Sequence, residues 1–247
     1  MPLTNTLDLI GTLKAELNQF RHLDNAKIQE ALAIEYTYES NRIEGNTLTL
    51  QETQLVIEKG LTISGKPLRE HLEAINHKEA IDYIKELAQS KSALTEHDLK
   101  QIHAIVLKSI DKENAGAYRN VPVMISGSPF VPPQPYLLSK LMEEYFIFYN
   151  ENKDTLHPVV LAAEMHERLV TIHPFIDGNG RTSRLVMNLI LLQHGYPIAN
   201  IKGDAESRKR YYAALEKAQT QDDKSDFIQL IAETVKESLE KYLSILR

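Results

Sequence analysis

Two apolar runs at helical spacing, residues 157–171 and 182–194, are joined by Ile172-His173-Pro174-Phe175-Ile176-Asp177-Gly178-Asn179-Gly180-Arg181-Thr182-Ser183-Arg184, and this junction constrains the chain more than any other stretch. Gly178 and Gly180 can take backbone conformations that turn successive N–H groups inward, while the following helix points its positive end at the same spot. That is the layout of an anion cradle, and phosphate oxygens fit it. Arg181 and Arg184 lie three apart at the start of the helix, so they project to one side as planar, permanently charged forks. Asp177 would repel a bare phosphate, which implies a hard cation such as Mg2+ between them. Pro174 favours an extended conformation for His173, and a histidine beside a metal-bound phosphate is a candidate general base.

Around this junction the chain reads as helical, without an internal repeat. Helical spacing marks 6–20 and 26–43, with further helices at 51–59, 67–89, 95–108, 136–150, 205–219 and 225–245. Thr95-x-x-Asp98 is a start signal for the helix at 95, and Gly45-Asn46 a left-handed stop for the one ending at 43. Residues 115–135 break the pattern: two short strand-like runs around Ser126-Gly127-Ser128-Pro129 predict a small β-hairpin. The expected fold is therefore an all-α bundle carrying one hairpin. Gly60 to Lys66 matches a phosphate-binding P-loop until Pro67 replaces the hydroxyl that would hold Mg2+, so it reads as a connector. His166-Glu167 starts a zinc-protease pattern that Val170 interrupts.

With 247 residues, 43% hydrophobic and 25% charged, the chain can bury a sizeable core in one large domain. The reading divides it into N-terminal helices at 1–60, a core at 61–204 and C-terminal helices at 205–247, with no linker between them. No apolar run is long enough to span a bilayer, and Met1 to Asn5 lacks a basic region followed by an apolar core, so a cytoplasmic location without membrane attachment is expected. The absence of cysteine excludes disulfides and thiolate chemistry. A formal charge of -6 argues against general nucleic-acid binding.

His173-Pro174-Phe175-x-Asp177-Gly178-Asn179-Gly180-Arg181-x-x-Arg184 resembles the signature of the Fic family at every fixed position. Gly116-x-Tyr118-Arg119 with Pro132-Pro133 is similar to the family's flap, and Tyr211-Tyr212-x-x-Leu215 resembles a segment associated with its adenine site. The resemblance implies a Fic-like helical bundle that transfers AMP from ATP to a protein hydroxyl and releases pyrophosphate. It makes His173 the base and Asp177 the holder of Mg2+. Gly178, Asn179, Gly180 and Arg181 would line the anion hole, Arg184 would meet the γ-phosphate, and Tyr211 and Tyr212 would contact the nucleotide. The implied partner is a protein carrying a Ser, Thr or Tyr hydroxyl, this chain itself included, and the hairpin edge would dock its modified segment as an added strand. A homodimer is also consistent with the family.

Ser40-x-x-x-Glu44-Gly45 resembles the family's inhibitory helix in the class that carries it N-terminally. Glu44 would then pair with Arg184 and fill the room of the γ-phosphate. Two alternatives use the same residues: removal of AMP from a modified protein, with Glu44 aligning a water, and a non-catalytic nucleotide-binding module. Phosphate transfer of the Doc type is disfavoured because that branch has lysine where this chain has Gly180.

Overall fold

The computed structural model describes residues 2–90 and 92–247. Among the described residues ten α-helices follow in order: α1 (Leu3–Phe20), α2 (Ala26–Ile43), α3 (Leu50–Lys59), α4 (Leu68–Ser90), α5 (Glu96–Val106), α6 (Leu138–Asn152), α7 (Pro158–Ile172), α8 (Asn179–Gln193), α9 (Ala205–Gln221) and α10 (Ser225–Leu246). Local chemistry sets many of their ends. Asn25 and Asp204 accept the first free N–H groups of α2 and α9, and Thr49/Glu52 and Thr95/Asp98 form reciprocal capping boxes at α3 and α5. Among the described residues no helix is long and apolar enough to cross a membrane.

The bundle is built around α8, which is buried from Asn179 to Leu191 on nearly every side except at Gly180. Its second half, Leu185 to Leu192, is apolar on every side but Asn188 and must be covered all round, and its polar first half is buried with it. Accordingly α7 folds back on it across the 173–178 loop, and α2, α4 and α5 pack against its other faces. Outside this shell, α1 packs on α10, and α10 packs on α7 and α9, so one hydrophobic core runs from Ile10 to Leu246. The helix at α8 starts three residues earlier than its apolar spacing suggests, because Asn179 and Gly180 already form its first turn.

The predicted β-hairpin is not formed: among the described residues 115–135 contain no strand. Pro122, Pro129, Pro132 and Pro133 lack the N–H groups a ladder would use. An arginine supplies the cohesion instead. Buried Arg119 donates from Nη1 to the Val121 carbonyl (3.0 Å) and from Nη2 to the Pro133 carbonyl (2.6 Å), drawing the two arms together. Its Nε donates to the His173 carbonyl (2.8 Å), and its backbone N–H donates to the Pro174 carbonyl (2.9 Å). The flap is thus an irregular loop stapled to the residue before Pro174.

Candidate active site at the α7–α8 junction

The loop between α7 and α8 is held by its own amide. Asn179 Oδ1 accepts from the Phe175 N–H (3.0 Å) and Asn179 Nδ2 donates to the Phe175 carbonyl (2.9 Å). Asn179 therefore braces the loop with both ends of its side chain. Gly178 takes the left-handed conformation, φ 77°, that the turn requires. Gly180 does not. It is glycine for space: a Cβ there would collide with Glu44 Oε1.

His173 also differs from the sequence expectation. It is left-handed (φ 51°, ψ 56°) rather than extended, ending α7 with its N–H donating to the Leu169 carbonyl (2.9 Å). For a side chain this costs about 1 kcal/mol, and the two Arg119 bonds to the 173 and 174 carbonyls hold it there. The imidazole Nδ1 donates to the Val170 carbonyl (3.1 Å). A carbonyl only accepts, so Nδ1 carries the proton and Nε2 is left with a lone pair. Burial, aided by the Arg119 charge, lowers the His173 pKa below the usual histidine range and keeps that lone pair free at neutral pH.

Glu44, the residue after α2, reaches into the same place. Its Oε1 lies 2.6 Å from Arg184 Nη2, over the α8 N-terminus at Gly180. Arg184 is fully buried. Its Nε donates to Ser40 Oγ (3.0 Å), Nη2 also donates to the Ser40 carbonyl (2.9 Å), and Nη1 lies 3.5 Å from Tyr211 Oη. Ser40 on α2 and Glu44 at its C-terminal cap, one turn apart, grip the guanidinium from one side. Tyr212 helps to seat α2 by donating to the Ile43 carbonyl (3.0 Å).

Asp177 stands in a ring of alternating charges. Arg69 on α4 pairs with its Oδ2, while Oδ1 accepts from the Gly178 N–H (2.6 Å) and lies 3.5 Å from Arg181 Nη2. Glu73 closes the ring, 3.2 Å from Arg69 Nε and 3.4 Å from Arg181 Nη1. Burial opposes ionisation of Asp177, but the Arg181 and Arg69 charges and the Gly178 N–H prevail and lower its pKa. Arg181 thus faces α4 and this ring, whereas Arg184 faces α2. Among the described residues no cluster of three or more His, Cys, Asp or Glu side chains is placed to hold a metal. A single carboxylate suits a Mg2+ ion that takes its other ligands from phosphates and water, once Arg69 has moved aside.

Local pattern reading missed His103. On α5, its Nδ1 accepts from the Gly116 N–H (2.9 Å) at the root of the flap, and its Nε2 donates to the Asp177 carbonyl (2.9 Å). Its ring stacks on Phe175 at 3.6 Å. One neutral imidazole thereby joins flap and loop, and burial depresses its pKa to about 4. No sequence motif announces it, because its partners lie in other elements. Arg69 and Glu73 went unseen for the same reason.

A cavity of about 640 Å3 opens over these groups. It is lined by Glu44, His173, Asp177 and Gly180, by Tyr211 and Tyr212, and by the flap residues Met124 to Ser128. It joins a free imidazole nitrogen, a helix N-terminus, the carboxylates of Glu44 and Asp177 and the half-buried Arg208, while the buried Arg184 reaches it only through its pair with Glu44. That set can bind a polyanion and deprotonate a nucleophile beside it.

The Fic/DOC family profile matches residues 93–191, which include the whole junction. Among curated proteins, the chain is 38% identical over 226 residues to the protein adenylyltransferase Fic of Drosophila grimshawi, covering 90% of this chain and 46% of that protein. It therefore spans less than half the length of that relative. Among solved structures, a fragment of Fic-1 from C. elegans superposes with a TM-score of 0.84 at 30% identity, covering 98% of this chain and 72% of the fragment. A Fic domain containing signaling protein from Bacteroides thetaiotaomicron superposes with a TM-score of 0.86 at 28% identity, covering 96% of this chain and 97% of that one. A shared fold along almost the full length, together with a signature loop that forms the floor of the cavity, makes this chain a member of the Fic/DOC family.

Proposed function

We propose that this chain is a protein adenylyltransferase that moves AMP from ATP to a protein hydroxyl and is held inactive by Glu44. One observation carries the reading: Glu44 Oε1 is bonded to Arg184 over Gly180, in the cavity that also holds His173 and Asp177. A carboxylate in an anion cradle stands where a phosphate oxygen would go.

In the reaction, His173 Nε2 takes the proton from the attacking hydroxyl. The hydroxyl oxygen bonds to the α-phosphorus, the bond from that phosphorus to the bridging oxygen breaks, and pyrophosphate leaves. The Val170 carbonyl, already bonded to Nδ1, steadies the imidazolium that forms. N–H groups at the start of α8 and the Arg184 charge stabilise the phosphate oxygens, Arg181 acts from behind through its pair with Asp177, and base assistance contributes a factor of roughly 10² to 10⁴. Asp177 would hold Mg2+, which when bound offsets charge on the α- and β-phosphates. Flap residues 124–128 line the same cavity as His173, and a target segment with a Ser, Thr or Tyr side chain would enter between them.

The Glu44–Arg184 pair must open before the γ-phosphate can enter. Arg184 is buried but 33% of the Glu44 side chain is exposed, so opening the pair costs less than the roughly 3–5 kcal/mol of a fully buried one, and Glu44→Gly is expected to raise AMP transfer by roughly tenfold or more. The test incubates the parent, Glu44→Gly and His173→Ala with ATP labelled at the α- or the γ-phosphate. Label from the α-position only, strongest in Glu44→Gly and lost in His173→Ala, supports the proposal. A Glu44→Gly protein no more active than its parent counts against inhibition by Glu44. Label from the γ-position would point to phosphate transfer, and no label in any variant to a binding module.

A further inference from the structure

Arg184 has no exposure, and three of its contacts come from α2: the Ser40 hydroxyl, the Ser40 carbonyl and the Glu44 carboxylate. The glutamate contact is the one that a phosphate would replace. A fourth partner lies elsewhere, the Tyr211 hydroxyl on α9, 3.5 Å from Nη1. Behind it, 2.9 Å from Tyr211 Oη, is Nε2 of His166 on α7. This histidine is fully buried, with the Phe227 ring set edge-on at 5.1 Å, and the reaction described above makes no use of it.

A guanidinium only donates, so the Tyr211 oxygen accepts from Arg184 and shares a second hydrogen bond with His166 Nε2. With the Tyr211 proton on that second bond, His166 is a neutral acceptor at Nε2 and its Nδ1 proton is buried without a partner. Its burial and the nearby Arg184 charge, which together hold its pKa well below the ordinary histidine value, keep it so.

We propose that His166 and Tyr211 form a relay that keeps Arg184 aimed into the cradle after Glu44 withdraws, and so set the preference for a triphosphate over a diphosphate. His166 is a positioning residue that acts through Tyr211. The inference rests on the nucleotide reading of the site, since its consequence is felt at the γ-phosphate that Arg184 would meet.

The test is calorimetric binding of a non-hydrolysable ATP analogue and of ADP, each with Mg2+, in the Glu44→Gly background. It compares Tyr211→Phe, His166→Leu, His166→Gln and Arg184→Ala, with melting temperatures taken alongside. Loss of the one neutral hydrogen bond to Tyr211 should weaken the analogue by roughly three- to tenfold in His166→Leu, and Tyr211→Phe, which also loses the contact to the Arg184 guanidinium, should weaken it at least as much. ADP should change less than about twofold, because it lacks the phosphate that Arg184 reads. His166→Gln keeps an acceptor near the Nε2 position and should restore the preference. Tyr211→Phe removes one oxygen atom and carries the test even if His166→Leu does not fold. An unchanged ratio, equal losses for both nucleotides, or a Gln variant as impaired as Leu overturns the relay. If Arg184→Ala lowers the ratio and the relay variants do not, only the relay falls. If Glu44→Gly binds neither nucleotide, the nucleotide reading falls and the relay with it.

Discussion

His173 combines three properties that usually conflict in one residue: a left-handed backbone, partial burial and a free ring nitrogen. The Arg119 staple maintains the first, and the Val170 carbonyl protects the third by claiming Nδ1. The lowered pKa has a direct kinetic consequence. A base is active when unprotonated, so the acid limb of kcat/KM in the Glu44→Gly protein should fall below the ordinary histidine midpoint of about 6.5. A pH–rate profile whose acid limb lies at or above that value would contradict the assignment. Such a limb should be absent in His173→Ala, with a residual rate lower by roughly 10² to 10⁴.

Among the elements, α2 and α4 meet the two halves of the site separately. The end of α2 delivers Glu44 to Arg184, while α4 delivers Arg69 to Asp177 and Glu73 to Arg181. Asn46, just beyond α2, ties the two together by donating to Glu73 Oε2 (3.0 Å) and to the Glu70 carbonyl (3.1 Å). Arg69 is well exposed, so its pair with Asp177 contributes little energy, about 0.2–1 kcal/mol. It still occupies the oxygen that a cation would need. Arg69→Ala in the Glu44→Gly background should lower the Mg2+ concentration for half-maximal binding of a non-hydrolysable ATP analogue by roughly two- to fivefold. A higher Mg2+ requirement on titration calorimetry would instead make Arg69 a phosphate ligand.

For the whole molecule, buried neutral histidines couple the fold to pH. His103 takes up a proton near pH 6.5 in the unfolded chain but only at about 4 in the folded one. Between those values the unfolded state binds more protons, so stability is full above pH 6.5 and is lost as pH falls toward 4, by on the order of 3 kcal/mol. His77 and His166, both buried with depressed pKa values, act in the same direction. Urea midpoints measured at pH 7.5 and pH 4.5 should show a clear loss at the lower value, and equal midpoints would refute it. The helical bundle itself was legible in the chain: the spacing from 26 to 43 coincides with α2, and Thr95-x-x-Asp98 is the capping box of α5. So was the signature loop, because glycines, a proline and paired arginines act over a few residues. The residues at 115–135 misled, since their alternation resembles strands while Arg119 takes the carbonyl partners a ladder would need. By itself the sequence determined the helices, their caps and the chemical groups of the 172–184 loop, all consequences of interactions within about one or two helical turns. Only the tertiary structure decided that Arg69 would cover Asp177, that His103 would join flap to loop, and that His166 would stand behind Tyr211, because those partners lie 108, 74 and 45 residues apart and meet through the packing of α4, α5 and α7 around α8 and of α9 against α7.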